Sequence, residues 1–418
     1  MKGKESEVKQ INSNIDNNCI FSKENVNLGH QPEFDYVKAL CVFLTVITHV
    51  YLNYSLGCIW KIIYFFDNIF TAGTFMLLMG IGMKYSRHQE PKNYFSRGIG
   101  LLTVGQLLNI TRDCLPNLIA WWITGNKNYI SRALLVLQAD ILIFAGISFL
   151  FLAIIKKMKL SDGFILIVSI IMNLVTDYLY KNVKSPNNYL LSQFLGYFIL
   201  TNAEAYFPFC SYFLFVAFGY WYGGHFQKVS NKNKFYNYIL IFFLPIMIIF
   251  HYFRMNYDFL AFIQYTTLEW YCLMPAPVAL LYIIGNLTAS AIFYKIDKML
   301  GGKTPKFITK TAQNLNQYYI ISYVITIQMN IFLSVTKGEK YPSEMKYPTL
   351  FTIILYIVCM ILIDMNDKYI HFSITTLKNK KRIFVFSLIW IMTIICVIYI
   401  YPKVEIFANM WNEYLNEE

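Results

Sequence analysis

Charged residues are scarce in this sequence. Only 14% of the 418 residues are Asp, Glu, Lys or Arg, whereas an ordinary soluble domain carries roughly 25%. Hydrophobic residues make up 56% of the chain. So few charged side chains cannot cover the surface of a chain this apolar and keep it soluble in water. The composition therefore excludes a soluble globular domain.

Motifs of soluble enzymes are missing as well. The sequence has no GxxxxGK[ST] loop for phosphate, no HExxH for catalytic zinc and no CxxC. Its eight cysteines are scattered without paired or metal-like spacing, which favours packing roles, and we expect no metal site. No internal repeat is visible. Soluble-type phosphate and zinc chemistry thus has no support.

Long apolar runs are what the sequence has instead. Runs near 20 residues match a helix that rises 1.5 Å per residue through about 30 Å of hydrocarbon. We predict an all-α, polytopic transmembrane helical bundle of about eleven spans. The predicted spans are 36–54, 62–83, 98–111, 133–155, 161–180, 206–222, 235–252, 273–294, 315–335, 349–365 and 383–401. The apolar pieces Leu115–Thr124 and Leu190–Leu200 are short and are predicted to be interfacial or re-entrant.

Basic residues predict the orientation of the bundle, because Lys and Arg prefer the cytoplasmic side. With the N-terminus inside, the loops predicted to be inner are the more basic ones: five lysines lie in 295–310 and no basic residue lies in 52–60. We therefore predict an inner N-terminus and an outer C-terminus. The net charge of +12 then faces anionic lipid for the most part, and nucleic acid is not an expected partner.

The chain divides into three parts by composition. Residues 1–34 are polar and lack the basic-then-apolar order of a cleavable signal, so they are predicted to form a flexible cytoplasmic tail. Residues 35–405 form the transmembrane domain, and 406–418 a short C-terminal tail. Heavy use of Asn, Lys, Ile and Tyr is typical of AT-rich genomes and favours a bacterial plasma membrane, with an intracellular eukaryotic membrane as the alternative.

The first span carries two ionisable groups that are costly in a membrane and therefore informative. Lys38 and His49 are eleven positions apart, which is three helical turns plus about 20°, so they share one face with His49 about 16 Å further out. A cation at the inner surface can hold acyl-CoA phosphates, and a neutral imidazole can take a proton or carry an acyl group. Alternatively, Lys38 snorkels to the interface and His49 bonds to a neighbouring helix.

The string Asp35…Lys38…His49 resembles the first-helix signature of the membrane-bound acyltransferase superfamily, which includes the acyltransferase-3 proteins and the heparan-alpha-glucosaminide N-acetyltransferase-like catalytic domain. In that signature Asp-x-x-Arg is followed by His. Lys38 stands where Arg is usual and lacks its bidentate fork. Further segments resemble, in order, parts of the second group: 70–82, 94–102, 137–142 and 206–224. Residues 314–330 weakly resemble a late helix of the superfamily.

The resemblance implies an O- or N-acyltransferase that moves an acyl group, expected to be acetyl, from cytoplasmic acyl-CoA to a carbohydrate or cell-envelope glycan at the outer face. His49 would be catalytic, with transfer either direct or through an acyl-histidine. Lys38 would hold the acetyl-CoA, helped by Arg97, although the positive-inside rule alone also explains Arg97. Other expected partners are membrane lipids, and a homodimer is left open.

Four other polar residues are site candidates. Asp140, near mid-membrane, is assigned a catalytic role in which it pairs with Lys38 or orients the His49 imidazole; the alternative is a neutral structural carboxyl. Asn109, Arg112 and Asp113 end the third span near the expected depth of His49. They are predicted to bind the acceptor, with an interfacial ion pair as the alternative.

A secondary transporter or exporter of a polar or lipid-linked glycan is the main rival function, with Lys38, Asp140 and His49 as an ion relay. Transporters commonly show inverted repeats and helices broken near the midplane. The odd span count and the missing repeat count against this function. A pure scaffold is the third reading, and it gives Lys38 and His49 no purpose.

Overall fold

The computed structural model is helical. It describes residues 19–54, 69–182, 186, 188–199, 205–256, 273–337, 345, 347–370 and 379–404. Helix accounts for 83% of the structure, and the described residues form no β-strand beyond one isolated bridge between Phe21 and Val229. The all-α class predicted from the sequence is confirmed.

The helices follow one another with short connections. Within the described ranges they are α1 (Pro32–Asn53), α2 (Ala72–Tyr85), α3 (Pro91–Asn109), α4 (Leu115–Thr124), α5 (Lys127–Ala133), α6 (Ile141–Lys157), α7 (Asp162–Asn182), α8 (Tyr189–Gly196), α9 (Phe209–Phe226), α10 (Lys232–Asn256), α11 (Ala276–Met299), α12 (Lys306–Gln313), α13 (Leu315–Lys337), α14 (Pro348–Met365) and α15 (Asn379–Ile400).

Eight helical stretches among the described residues are long and apolar enough to cross a membrane. Each of the eleven predicted spans overlaps a helix, although the first part of span 62–83 lies outside the described residues. The three predicted spans beyond those eight fall on α2, α3 and α9. The described residues therefore have the architecture of a helical bundle with eight helical stretches that could cross a membrane.

The two short apolar pieces turn out differently. Leu115–Thr124 is not a separate re-entrant segment, because α4 continues α3 through a π-helical turn, Ile110–Cys114. The predicted third span ended at residue 111 because Arg112 and Asp113 interrupt the apolar pattern. Leu190–Leu200 overlaps α8, whose eight residues are too few to span a bilayer, and its interfacial or re-entrant placement stays a prediction.

The loops predicted to be inner meet at one end of the bundle. Lys84 pairs with Asp162, and Lys156 Nζ donates to Gln89 over 2.7 Å. Arg382 donates to the backbone oxygen of Ser96 over 2.8 Å. We call this the basic end. The hydrogen bond from Asn330 to the Asn53 oxygen, 2.8 Å long, marks the opposite end.

Helices α2 and α9 touch backbone to backbone. A Cβ added to Gly80 would lie 2.2 Å from the Val216 oxygen, and one added to Gly219 would lie 2.1 Å from the Leu77 oxygen. Small residues permit this close approach of the two backbones. In lipid, the resulting van der Waals packing takes the place of hydrophobic burial in driving helix association. The pair forms the centre of the main apolar cluster, around Met76 and Phe215.

Replacing Gly219 by alanine is expected to destabilise the fold by about 1–3 kcal/mol, because the new methyl group overlaps backbone that cannot rotate away. The measurement is the thermal unfolding midpoint in detergent. Gly82→Ala is the matched control, since no atom lies within 4 Å of a Cβ added there. Equal midpoints for the two variants would show that α2 and α9 are not in close contact.

Residues 19–31, which the sequence analysis assigned to the flexible tail, lie along the basic end. Ser22 N donates to the Lys228 oxygen over 2.8 Å, and Val26 N donates to the Gln227 oxygen over 2.9 Å. Tyr85 donates to the Asn27 oxygen over 2.9 Å. These residues form a strap across the C-terminal end of α9.

Candidate functional site

A break in the predicted fourth span positions the centre of the candidate site. The helical chain ends at Leu137, leaves the helical conformation at Gln138, Ala139 and Asp140, and resumes at Ile141. Asp140 caps the new helix, because its Oδ1 accepts from Leu142 N over 3.2 Å. Asn109 Nδ2 donates to the freed oxygens of Val136 and Gln138 over 3.3 and 3.0 Å. Such irregular backbone is tolerated at membrane depth only where protein satisfies it.

Arg112 lies on the π-helical turn that joins α3 to α4, fully buried. Its Nε donates to Asp113 and its Nη1 donates to Asp140, and each hydrogen bond is 2.7 Å long. Its Nη2 donates to Asn109 Oδ1 and to Gln138 Oε1, and each hydrogen bond is 3.1 Å long. π-Helical turns inside α-helices are frequent at functional sites. We call Asn109, Arg112, Asp113, Gln138 and Asp140 the Arg112 cluster.

Two tyrosines of α13 connect this cluster to the first helix. The Tyr319 hydroxyl donates to the Asp140 carboxylate, 2.9 and 2.8 Å from its two oxygens. The Tyr323 ring stacks on the His49 imidazole with centroids 4.0 Å apart. The Arg112 guanidinium carbon lies 4.2 Å from the same ring centroid. Because one ring face cannot hold both groups at these distances, Tyr323 lies between His49 and Arg112.

His49 is half-buried at the junction of α1 and α13. Its imidazole meets Tyr319 edge-on, with centroids 5.4 Å apart, in addition to the stack on Tyr323. Its Nδ1 is inaccessible to water and has no hydrogen-bond partner among the described residues. Burial of a polar nitrogen without a partner costs free energy. The imidazole is therefore held by ring contacts while Nδ1 keeps its bonding capacity.

The two predicted donor-binding residues lie apart from this site. Lys38 is half-buried on α1, close to Asp35, and its Nζ makes no hydrogen bond within the described ranges. Arg97 is exposed on α3, with its guanidinium carbon 5.0 Å from the Phe149 ring centroid. No described hydrogen bond or ion pair joins Lys38 to Arg97, so the structure does not bring them into one contact.

Most of the residues singled out from the sequence are brought together. His49 and the predicted residues of the Arg112 cluster lie around Tyr319 and Tyr323. Asp140, however, pairs with Arg112 and Tyr319, and no described contact joins it to Lys38 or His49. The Arg112 donors serve internal acceptors, so an acceptor molecule would have to displace one of these bonds.

Sequence reasoning missed Gln138, Tyr319 and Tyr323. The two tyrosines are four residues apart on one helix, so they share a face. That spacing was the available signal, and it was hidden among the 33 tyrosines of the chain. Gln138 was quoted only as a neighbour of Asp140.

This arrangement places an imidazole whose buried Nδ1 has no hydrogen-bond partner among the described residues beside an organised array of charges and hydroxyl groups. Such a group can accept a proton or act as a nucleophile. Within the described residues no group of His, Cys, Asp or Glu side chains could hold a metal ion. Comparison of the chain with family models, curated proteins and solved structures finds no match.

Proposed function

We propose that this protein is an integral membrane acyltransferase that moves an acyl group, with acetyl as the proposed group, from acyl-CoA to a hydroxyl or amine of a carbohydrate or envelope glycan. The observation that supports the proposal is the half-buried His49 imidazole, which stacks on Tyr323 and has an Nδ1 without a hydrogen-bond partner among the described residues. The resemblance of Asp35…Lys38…His49 to the acyltransferase signature supplies the reaction type.

In the proposed reaction His49 takes a proton from the acceptor hydroxyl as its oxygen attacks the thioester carbonyl. The carbon–sulfur bond breaks, and the proton passes to the departing CoA thiolate. Transfer through an acyl-histidine would use the same imidazole as nucleophile. The Arg112 cluster holds Tyr319 and Tyr323 in place. These two rings pack against the His49 imidazole and so fix its position.

The donor would enter at the basic end. In this proposal Lys38 holds a phosphate of acyl-CoA, and the acyl arm extends along α1 toward His49, about 16 Å further along the helix. Arg97 would meet the donor only at the surface, because it is exposed and lies against Phe149.

Lys38→Ala is expected to weaken acetyl-CoA binding about 10- to 100-fold, the equivalent of one charge-assisted hydrogen bond. The measurement is equilibrium binding to full-length protein in nanodiscs. Lys228→Ala, which removes an exposed lysine from the same end, serves as control, and Lys38→Arg should retain binding. Unchanged affinity in Lys38→Ala would remove this residue from the donor site.

The proposal includes eleven spans, an inner N-terminus and an outer C-terminus in a bacterial plasma membrane. The convergence of the basic loops at one end supports this orientation. Asn109, Arg112 and Asp113 would then lie toward the outer half, where the glycan acceptor approaches.

One observation favours transport as a second candidate function. The helix break at Gln138–Asp140 beside buried charges is the kind of discontinuity found at transporter binding sites. The proposed relay of Lys38, Asp140 and His49 is not supported, since Asp140 pairs with Arg112 instead.

The deciding experiment follows free CoA release from acetyl-CoA by purified protein in nanodiscs, with donor binding measured in parallel. Donor binding together with CoA release supports the enzyme. If no acyl-CoA of any chain length binds, the acyltransferase proposal fails, and glycan flux into proteoliposomes becomes the measurement of interest.

A further inference from the structure

Two cysteines meet beside the Arg112 cluster. Cys114 is the last residue of the π-helical turn, and Cys396 lies near the end of α15. Their sulfur atoms are 4.0 Å apart, although the residues are 282 positions apart in sequence. Cys114 is buried and Cys396 is half-buried, and both are free thiols.

The sulfur atoms are close enough to bond after a small movement. A disulfide requires the sulfurs to approach to about 2.05 Å, so they must move together by roughly 2 Å. Rotation of two side chains and a slight shift of α15 can supply that movement. Helix α15 lies at the surface of the bundle, with Phe384, Met392 and Ile395 among its many exposed side chains.

Both thiols lie toward the end of the bundle opposite the basic end. Helix α3 begins at the basic end and reaches Cys114 through the π-helical turn, whereas α15 begins at the basic end beside Arg382 and ends four residues after Cys396. The end opposite the basic end faces the outer compartment in the orientation proposed above. The outer placement of the two thiols depends on that orientation. Disulfides persist in oxidising outer compartments and are rare in the cytosol.

We propose that Cys114 and Cys396 form a redox-active pair that closes to an intramolecular disulfide by exchange with a low-molecular-weight disulfide. The more accessible Cys396 thiolate attacks one sulfur of that disulfide and releases one small thiol. The Cys114 thiolate then attacks Cys396 in the mixed disulfide and releases the second small thiol. Two protein thiols are oxidised and one small disulfide is reduced to two thiols, so atoms and electrons balance.

The bond would fasten α15 to the turn that carries Arg112 and Asp113. Within the described residues α15 is otherwise joined to α3 by few polar contacts, among them Gln106 to Thr393 over 3.1 Å. The disulfide therefore controls how firmly the outer half of the candidate site is held, while leaving His49 untouched.

The test uses full-length protein in detergent, treated with oxidised glutathione and then with an alkylating reagent, and analysed by peptide mass spectrometry. We expect a linked peptide pair containing Cys114 and Cys396 and the loss of two alkylatable thiols per chain. Cys359→Ser should keep the linked pair, and Cys396→Ser should lose it. The wild-type result stands alone if a variant fails to fold.

Three results would overturn the proposal. Both residues could stay fully alkylatable, Cys396 could stop at the glutathione mixed disulfide, or the link could form to another cysteine. The same analysis on whole cells checks the outer placement: a link that forms in detergent but never in cells overturns that placement. Neither readout measures acetyl-CoA turnover. Failure of the acyltransferase proposal would therefore be distinguishable from failure of the disulfide proposal.

Discussion

Replacing Arg112 by methionine is expected to cost roughly 3–5 kcal/mol of folding free energy and to leave little monodisperse protein. The substitution keeps much of the side-chain volume but leaves Asp113 and Asp140 buried without their cation. Removal of one member of a buried ion pair is costly because the remaining charge has lost its compensation. The measurement is the thermal unfolding midpoint and the yield after size-exclusion chromatography.

The matched control removes the charges together. A triple variant with Arg112→Met, Asp113→Asn and Asp140→Asn has no uncompensated charge, and we expect it to recover much of the lost stability. Arg112→Lys should fall in between, because a lysine keeps the charge but cannot reach four separate acceptors. A methionine variant that melts like wild type would show that the cluster does not hold the fold.

His49→Ala is expected to lower the rate of CoA release by a factor of about 10²–10⁴, which is the usual contribution of a general acid–base group. Stability should change little, because Nδ1 makes no hydrogen bond among the described residues and the ring contacts Tyr319 and Tyr323 only by stacking and edge contact. The measurement is acetyl-CoA turnover in nanodiscs, with the unfolding midpoint recorded on the same sample.

The control for this variant is His225→Ala, which removes an exposed histidine whose ring is tilted against that of Trp221, with centroids 4.5 Å apart. It should retain full turnover. A His49→Ala protein that is equally stable and equally active would end the catalytic assignment. A variant that is inactive because it has unfolded would instead favour the structural role considered for His49 at the outset.

Local sequence rules located most of the long helices. The shared face of Lys38 and His49 follows from helical periodicity alone, and Asp140 was recognised because a carboxylate is costly at mid-membrane. The pairing of Asp140 with Arg112 was not accessible in this way. It depends on the helix break at Gln138 and on the extra residue of the π-helical turn, and neither feature has a periodic signature.

The limits of the third span have the same origin. A hydropathy pattern treats Arg112 and Asp113 as a terminus, because isolated charges are unfavourable in hydrocarbon. In the folded protein the Arg112 cation pairs with both Asp113 and Asp140, so the helix continues to Thr124. Residues from distant segments pair with these charges and so remove the free-energy cost of burying them, which was the basis of the prediction. Tyr319 is one of these residues, and it could not be identified without the fold.

The strap has a consequence for how the protein is made. Ser230 donates to the Cys19 oxygen, a residue 211 positions earlier in the chain. The beginning of the strap is synthesised long before its binding partner, and six predicted spans must enter the membrane in between. During translation these residues must stay unbound on the side where α9 will end. A bulky fusion joined close to Cys19 should therefore slow the final step of biogenesis more than the same fusion placed farther upstream.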